Sequence, residues 1–285
     1  MEWEGREESQ NVEDRRGMGG GTKMAIGGGI GGIIILIVGL LLGVNPQLLQ
    51  QFLGNVGGPQ AVEQGPRADD KLKEFTSVIL HDTEVIWDEQ FRKMGKTYIN
   101  PKLVVYDGVV QSACGSADNA VGPFYCPGDQ MIYIDLAFYR DMQRKLNAPG
   151  EFARAYVIAH EVGHHVQLLL GYSRRADQMR NSGNKRLQSE GSVRLELQAD
   201  FLAGVWAHHG QEKWKFLDKG DLESALNAAY QIGDDRLQKK AKGYVVPDSF
   251  THGTSKQRMR WFKDGFDTGD VGRAKLLFDL PYEKL

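Results

Sequence analysis

The chain has 285 residues, 41% hydrophobic and 25% charged, enough for one sizeable domain or two small ones. A net charge of -2 lacks the broad attraction to phosphate backbones that a general nucleic-acid binder needs, so no nucleic-acid partner is expected. Glycine is high at 35 residues and concentrated near the N-terminus, so the average hides regions with different roles.

Residues 1–24 are rich in Glu, Arg and Gly, show no apolar period and read as a disordered tail. Residues 25–44, AIGGGIGGIIILIVGLLLGV, carry no charge. As a helix this run spans about 30 Å, the thickness of a bilayer's hydrocarbon core, and is expected to be a transmembrane helix. A cleaved signal peptide is the alternative, but the charged stretch in front is long and no convincing small-x-small site follows. Arg6, Arg15, Arg16 and Lys23 precede the run, and no Lys or Arg lies between Asn45 and Pro66. The tail is therefore expected in the cytoplasm and the rest of the chain on the periplasmic or extracellular side. Gly27 with Gly31, and Gly39 with Gly43, have the G-x-x-x-G spacing that would permit a homodimer through this helix. Residues 45–68 hold few large apolar groups after Phe52 and read as a linker.

From residue 69 the pattern becomes globular. Phe75, Val78, Ile79, Val85 and Ile86 recur at three- and four-residue steps and predict a helix over about 69–94. After Pro101, Leu103–Val105 and Val109–Val110 predict one or two short strands, and 130–136, QMIYIDL, predicts another. Cys114 and Cys126, this close together outside the cytoplasm, read as a disulfide worth roughly 3 kcal/mol in loop-closure entropy. Two buried free thiols are the alternative. No repeat is visible, and strands precede a mainly helical remainder, so residues 69–285 read as one α+β domain with a small sheet and a mainly helical core.

Gly150 and Gly171 bracket a helix with an apolar stripe that includes Phe152, Tyr156, Ala159, Val162 and Val166. On it lies His160-Glu161-Val162-Gly163-His164. Residues four apart share a helix face, so two imidazoles can reach one Zn2+ ion. Glu161, one step round, can act on a water there without being a ligand. His165 points about 100° away from His164 and reads as structural, as does His81. A second helix over about 192–209, expected to stop at Gly210, carries Glu196 and Asp200 among Leu195, Leu197, Phe201 and Leu202. Carboxylates in such surroundings are costly to bury unless a cation or donor awaits them. Glu196 fits a third metal ligand, with a surface carboxylate as the alternative, and Asp200 fits an acceptor for a metal-bound histidine. His208 and His209 close this helix, where positive charge suits the dipole, and carry no assigned chemistry. His252 lies in a loop of small residues, and Arg258 could reach the same place.

Four segments, GPFYCPGDQMIYID (122–135), AHEVGHHVQ (159–167), ELQADFLAGVW (196–206) and FTHGTSKQRMRWF (250–262), together resemble the bacterial family described as "Putative neutral zinc metallopeptidase", which is gluzincin-like. The resemblance covers nearly the whole chain. It implies a zincin-like domain behind the N-terminal helix, Zn2+ as cofactor and protein or peptide substrates. In gluzincins the Glu of the second helix is the third ligand, which falls on Glu196. In related membrane peptidases that process prenylated proteins, a T-H-P segment is followed by an Arg that helps stabilise the oxyanion. Thr251-His252 and Arg258 are similar, but Gly253 stands where the proline would be, so which of His252 and Arg258 serves stays open. The expected function is a membrane-anchored zinc metalloendopeptidase with Glu161 as general base and the strand over 130–136 offering its edge to an extended substrate. The alternative is a zinc-stabilised, non-catalytic binding module of the cell envelope.

Overall fold

The computed structural model describes residues 1–17, 67–118 and 122–285. The expected transmembrane helix over 25–44, any homodimer through it, and nearly all of the linker over 45–68 lie outside the described residues. Among the described residues no helix is long and apolar enough to cross a membrane.

The first 17 residues correct the expectation of a disordered tail. Strand β1 (Val12–Asp14) pairs in parallel with β2 (Lys102–Tyr106), Val12 opposite Leu103 and Asp14 opposite Val105. Ahead of it, Trp3 is 3% exposed and meets the Phe75 ring edge-on at 5.4 Å. Arg6 reaches the buried carboxylate of Asp82 at 2.6 Å. Ser9 and Asn11 donate to Glu84 Oε1 at 2.7 and 2.8 Å. A polar segment has no apolar period of its own, so its order comes from partners on a helix some seventy residues away.

That helix, α1 (Asp70–Lys93), matches the predicted span. Strand β2 is followed by the hairpin β3 (Val109–Ser112) and β4 (Gly115–Asp118), then by β5 (Phe124–Cys126) and β6 (Met131–Asp135). The main sheet has the order β1-β2-β6-β5, parallel except for β5, and β3–β4 stand apart as their own pair. Side chains alternate across it as a pleat requires. Leu103, Val105, Ile132 and Ile134 enter the main core, whereas Val104, Tyr106 and Tyr133 pack with Val110 and Cys126 on the other face. The predicted strand over 130–136 forms, but as β6 it is hydrogen-bonded on both sides and has no edge to offer. The antiparallel edge strand is β5. Cys114 and Cys126 are disulfide-bonded, which ties the β3–β4 turn to β5.

The helical part follows: α2 (Ala137–Arg144), α3 (Glu151–Leu170), α4 (Tyr172–Arg180), α5 (Lys185–Trp214), α6 (Asp221–Gln231), α7 (Asp234–Lys242), α8 (Ser255–Thr268) and α9 (Leu276–Asp279). Helix α3 ends at Gly171, left-handed with φ 84°, as predicted. Helix α5 is longer at both ends than its sequence signals suggest. Asn184 caps it by accepting from the N–H groups of Arg186 and Leu187. It runs through Gly210 because that glycine serves packing: a Cβ there would lie 2.2 Å from the Phe216 ring. Helix α8 starts with a capping box between Thr254 and Gln257 and crosses α5 at two facing glycines. A Cβ on Gly204 would meet Phe262 O at 2.1 Å, and one on Gly265 would meet Phe201 O at 2.0 Å. Phe152, Phe201, Trp206, Phe216 and Phe262 fill the space between these helices at no more than 2% exposure, each worth roughly 1.5–3 kcal/mol of burial. The architecture is the expected α+β, with a small sheet and a mainly helical core.

Candidate metal centre

Helix α3 places His160 and His164 one turn apart, their ring centroids separated by 4.8 Å. Opposite them, α5 comes unusually close because residue 163 is glycine: a Cβ there would lie 3.0 Å from Ala199 O. The approach brings Glu196 over both rings. His160 Nε2 lies 3.3 Å from Glu196 Oε2, and His164 Nε2 lies 3.5 Å from Glu196 Oε1. One ligand atom from each of the three residues falls within 4.8 Å of the others. Ligands about 2.0–2.1 Å from a tetrahedral ion are about 3.3 Å apart, so the donor set fits Zn2+ with a fourth position left open.

The far side of each ring is held. His160 Nδ1 donates to Asp200 Oδ1 at 2.8 Å and His164 Nδ1 to Gln167 Oε1 at 2.9 Å. The Gln167 amide donates in turn to Leu195 O at 2.6 Å, which turns its oxygen toward His164. As zinc ligands both rings would keep their proton on Nδ1 and offer the Nε2 lone pair to the space beside Glu196. Burial disfavours charge on His160, but Asp200 and Glu196 outweigh it and push the ring up to about 10. Burial pushes His164 down to about 4. Burial opposes the charge on Glu196 too, yet the two histidines hold it well below the usual carboxylate range. The Glu196 charge is thus balanced by the histidines, and a zinc ion held here would take the place of the proton on His160.

Asp200 is fully buried and satisfied from three directions. Arg258 approaches it with both prongs, Nε to Oδ2 at 2.8 Å and Nη2 to Oδ1 at 2.9 Å, and the Tyr156 hydroxyl donates to Oδ1. Burial would raise the Asp200 pKa, but Arg258 first and His160 second keep it at about 2. Arg258, one of the two residues expected to serve the oxyanion, is held on this side of His160. It is 2% exposed, and its Nη2 lies 3.5 Å from His160 Nδ1, the nitrogen turned away from Glu196. Arg258 stands behind His160 and orients Asp200.

Glu161 is buried beside the ligands and takes a backbone hydrogen bond from Tyr125 in β5, and burial pushes it up to about 7. His165 is structural, as read: its Nε2 donates to Ile99 O at 2.6 Å and its Nδ1 accepts from the Tyr125 hydroxyl at 3.0 Å. His252 takes a different position from Arg258. Its side chain is 48% exposed, with Nδ1 3.3 Å from Asp234 Oδ1. Asp234 Oδ2 also accepts from the backbone N–H groups of Thr251, His252 and Gly253 at 2.7, 2.6 and 3.0 Å. Gly253 has φ 88°, so a proline there would both lack the donor and be unable to adopt the backbone. The hydrogen bond to Asp234 raises the His252 pKa against burial, and the Glu196 charge adds to the rise.

The structure thus brings His160, Glu161, His164, Glu196 and Asp200 together, puts Arg258 behind them and His252 within electrostatic reach. Sequence reading missed Tyr156 and Gln167, although their spacing of four before His160 and three after His164 was there to be seen. It also missed Tyr125 and Asp234, which carry no such local signal.

The family model described as "Putative neutral zinc metallopeptidase" matches residues 1–276. The chain is 52% identical over 283 residues to the uncharacterized protein YpfJ of Escherichia coli (strain K12), covering 96% of this chain and 98% of that one. It is 42% identical over 183 residues to the uncharacterized protein Rv2575 of Mycobacterium tuberculosis (strain H37Rv), 61% of either chain. No solved structure gives a significant match. Two imidazoles and a carboxylate set for zinc, within a match that spans the folded N-terminal segment and the helical core alike, place the chain in the "Putative neutral zinc metallopeptidase" family.

Proposed function

We propose that the chain is a zinc-dependent endopeptidase of zincin-like architecture, with Glu161 as general base and His252 as the donor to the developing oxyanion. The observation that carries this reading is the convergence of His160, His164 and Glu196 beside a buried carboxylate that is not itself a ligand. Bound at these residues, zinc supplies Lewis acidity to the scissile carbonyl and acidifies water. Glu161 takes a proton from the attacking water and delivers it to the leaving nitrogen as the C–N bond breaks. Tyr125 holds Glu161 from the edge strand β5, so a peptide extended along β5 would run past that carboxylate. Such a segment, lying along an edge, supports cleavage within a chain. His252, with Nδ1 engaged by Asp234, has Nε2 for the oxyanion.

Zinc content and cleavage of a peptide library, measured for the wild type and Glu161→Gln, test this. Zinc in both with turnover in the wild type alone is expected. Zinc in both and turnover in neither would favour the non-catalytic binding module.

The Cys114–Cys126 disulfide supports an oxidising compartment, periplasmic or extracellular, for the domain. The pairing of β1 with β2 supports residues 1–17 lying in that same compartment, in place of a tail on the opposite side. Contact with a membrane through residues 25–44 remains part of this proposal. Single cysteines at Glu7→Cys and Lys219→Cys, probed with an impermeant thiol reagent on intact cells, should react alike; opposite reactivity would restore the single-crossing arrangement.

A further inference from the structure

Twelve residues beyond Glu196, about 18 Å along α5, the helix carries a second set of metal-type donors: His208, His209 and Glu212. Their hydrogen bonds decide which nitrogens are free. His208 Nδ1 lies 2.7 Å from Phe266 O and His209 Nε2 lies 2.8 Å from Gly269 O. A carbonyl oxygen only accepts, so those two nitrogens carry the protons. The lone pairs of the neutral rings then sit on His208 Nε2 and His209 Nδ1. These face Glu212, at 3.5 Å from Oε1 and 3.2 Å from Oε2. Two imine lone pairs turned toward a carboxylate repel one another unless a cation lies between them.

The arrangement repeats the logic of the first centre. In both, a fixed oxygen holds the far nitrogen of each ring, and the near nitrogens converge with a carboxylate. The space for it is also built. His208 packs on Gly269, which has φ 60°, and a Cβ there would lie 2.3 Å from His208 Cδ2. The two rings meet edge to face at 5.0 Å and are 25% and 17% exposed, while Glu212 is 64% exposed.

We infer that His208 Nε2, His209 Nδ1 and the Glu212 carboxylate form a second divalent-cation site of the kind that imidazole and carboxylate donors offer to Zn2+. The site is at the surface, where water completes the ion's coordination. Its role is structural. Through the two rings it clamps the end of α5 to the end of α8 and the turn at Gly269, the pair of helices that carry Glu196, Asp200 and Arg258.

The test is zinc titration of the full chain after removal of metal with EDTA, counting equivalents against a chromophoric chelator. The wild type should bind two. Glu212→Ala, which alters an exposed residue, and the pair His208→Asn with His209→Asn should each bind one. His160→Asn with His164→Asn should also bind one, and added zinc should still raise the Tm of that variant, an effect lost when Glu212→Ala is introduced. A single equivalent in the wild type that disappears with His160 and His164 would overturn the proposal and leave His208 and His209 as proton-bridged partners of Glu212. Two equivalents surviving in Glu212→Ala would overturn it as well. Failure of the first centre reads differently: one equivalent in the wild type, lost with Glu212→Ala.

Discussion

Arg258 and His252 lie six residues apart, and each is gripped by an aspartate. Their surroundings separate them. Arg258 is sealed in the core, with Nε and Nη2 committed to Asp200 and Tyr156 on the far side of His160. His252 is half exposed, fastened to Asp234 by one nitrogen, with no hydrogen-bond partner for the other among the described residues. A charge sealed behind a ligand can fix that ligand's tautomer and position but cannot meet a substrate. A charge on the open side contributes little to the fold and remains available for chemistry.

The largest expected effect lies between the two, at Glu161. Glu161→Gln should lower kcat by about 10²–10⁴-fold, the range for a general base, while zinc content stays at the wild-type level. Full activity in a zinc-loaded Glu161→Gln protein would remove this residue from the reaction. The buried side comes next. Arg258→Gln takes the guanidinium from a buried carboxylate and leaves it only Tyr156 and His160, so a loss of about 3–5 kcal/mol in denaturant unfolding is expected, together with 10–100-fold weaker zinc binding. Arg258→Lys should recover only part of this, because a single ammonium cannot reproduce the two-pronged contact. If Arg258→Gln kept its stability and zinc affinity and lost only kcat, Arg258 would belong on the open side after all.

His252→Ala should show the opposite profile: kcat lowered by about 10²–10³-fold, with zinc binding and unfolding nearly unchanged. The smallest effect is the pH dependence of the same residue. The His252 pKa is raised above its ordinary 6.5. As the cationic donor, it should make kcat/KM fall as pH rises through that raised value, and His252→Ala should lose that limb. The stability contribution has the matching sign: fully present below 6.5, then lost as pH rises through the folded-state pKa. Half exposure keeps it small. Unfolding of the wild type and His252→Ala compared from pH 5 to 9 checks this, and a stability gap that widened with pH would contradict the assignment.

The parts of the fold that could be read beforehand were those with a period of their own. Helix α1, strand β6 and the start and stop of α3 follow from apolar spacing and glycine placement. Residues 1–17 could not be read in this way, because their polar side chains are ordered by Asp82, Glu84 and Glu151 elsewhere in the chain. Gly210 misled for a related reason: a glycine that ends a helix and a glycine that admits Phe216 look the same in one dimension.

By itself, the sequence determined the chemistry of the centre. His160, Glu161 and His164 share one helix, Glu196 and Asp200 share another, and a spacing of four places each pair on one face. That information is local, set by the 3.6-residue turn. Only the tertiary structure decided that Gly163 lets α5 close on α3, that β5 is an edge strand while β6 is not, and that Arg258 lies behind His160 while His252 does not. It alone turned His208 and His209 toward Glu212. Those outcomes depend on which distant surfaces meet and which way each ring is held, and no spacing along the chain encodes them.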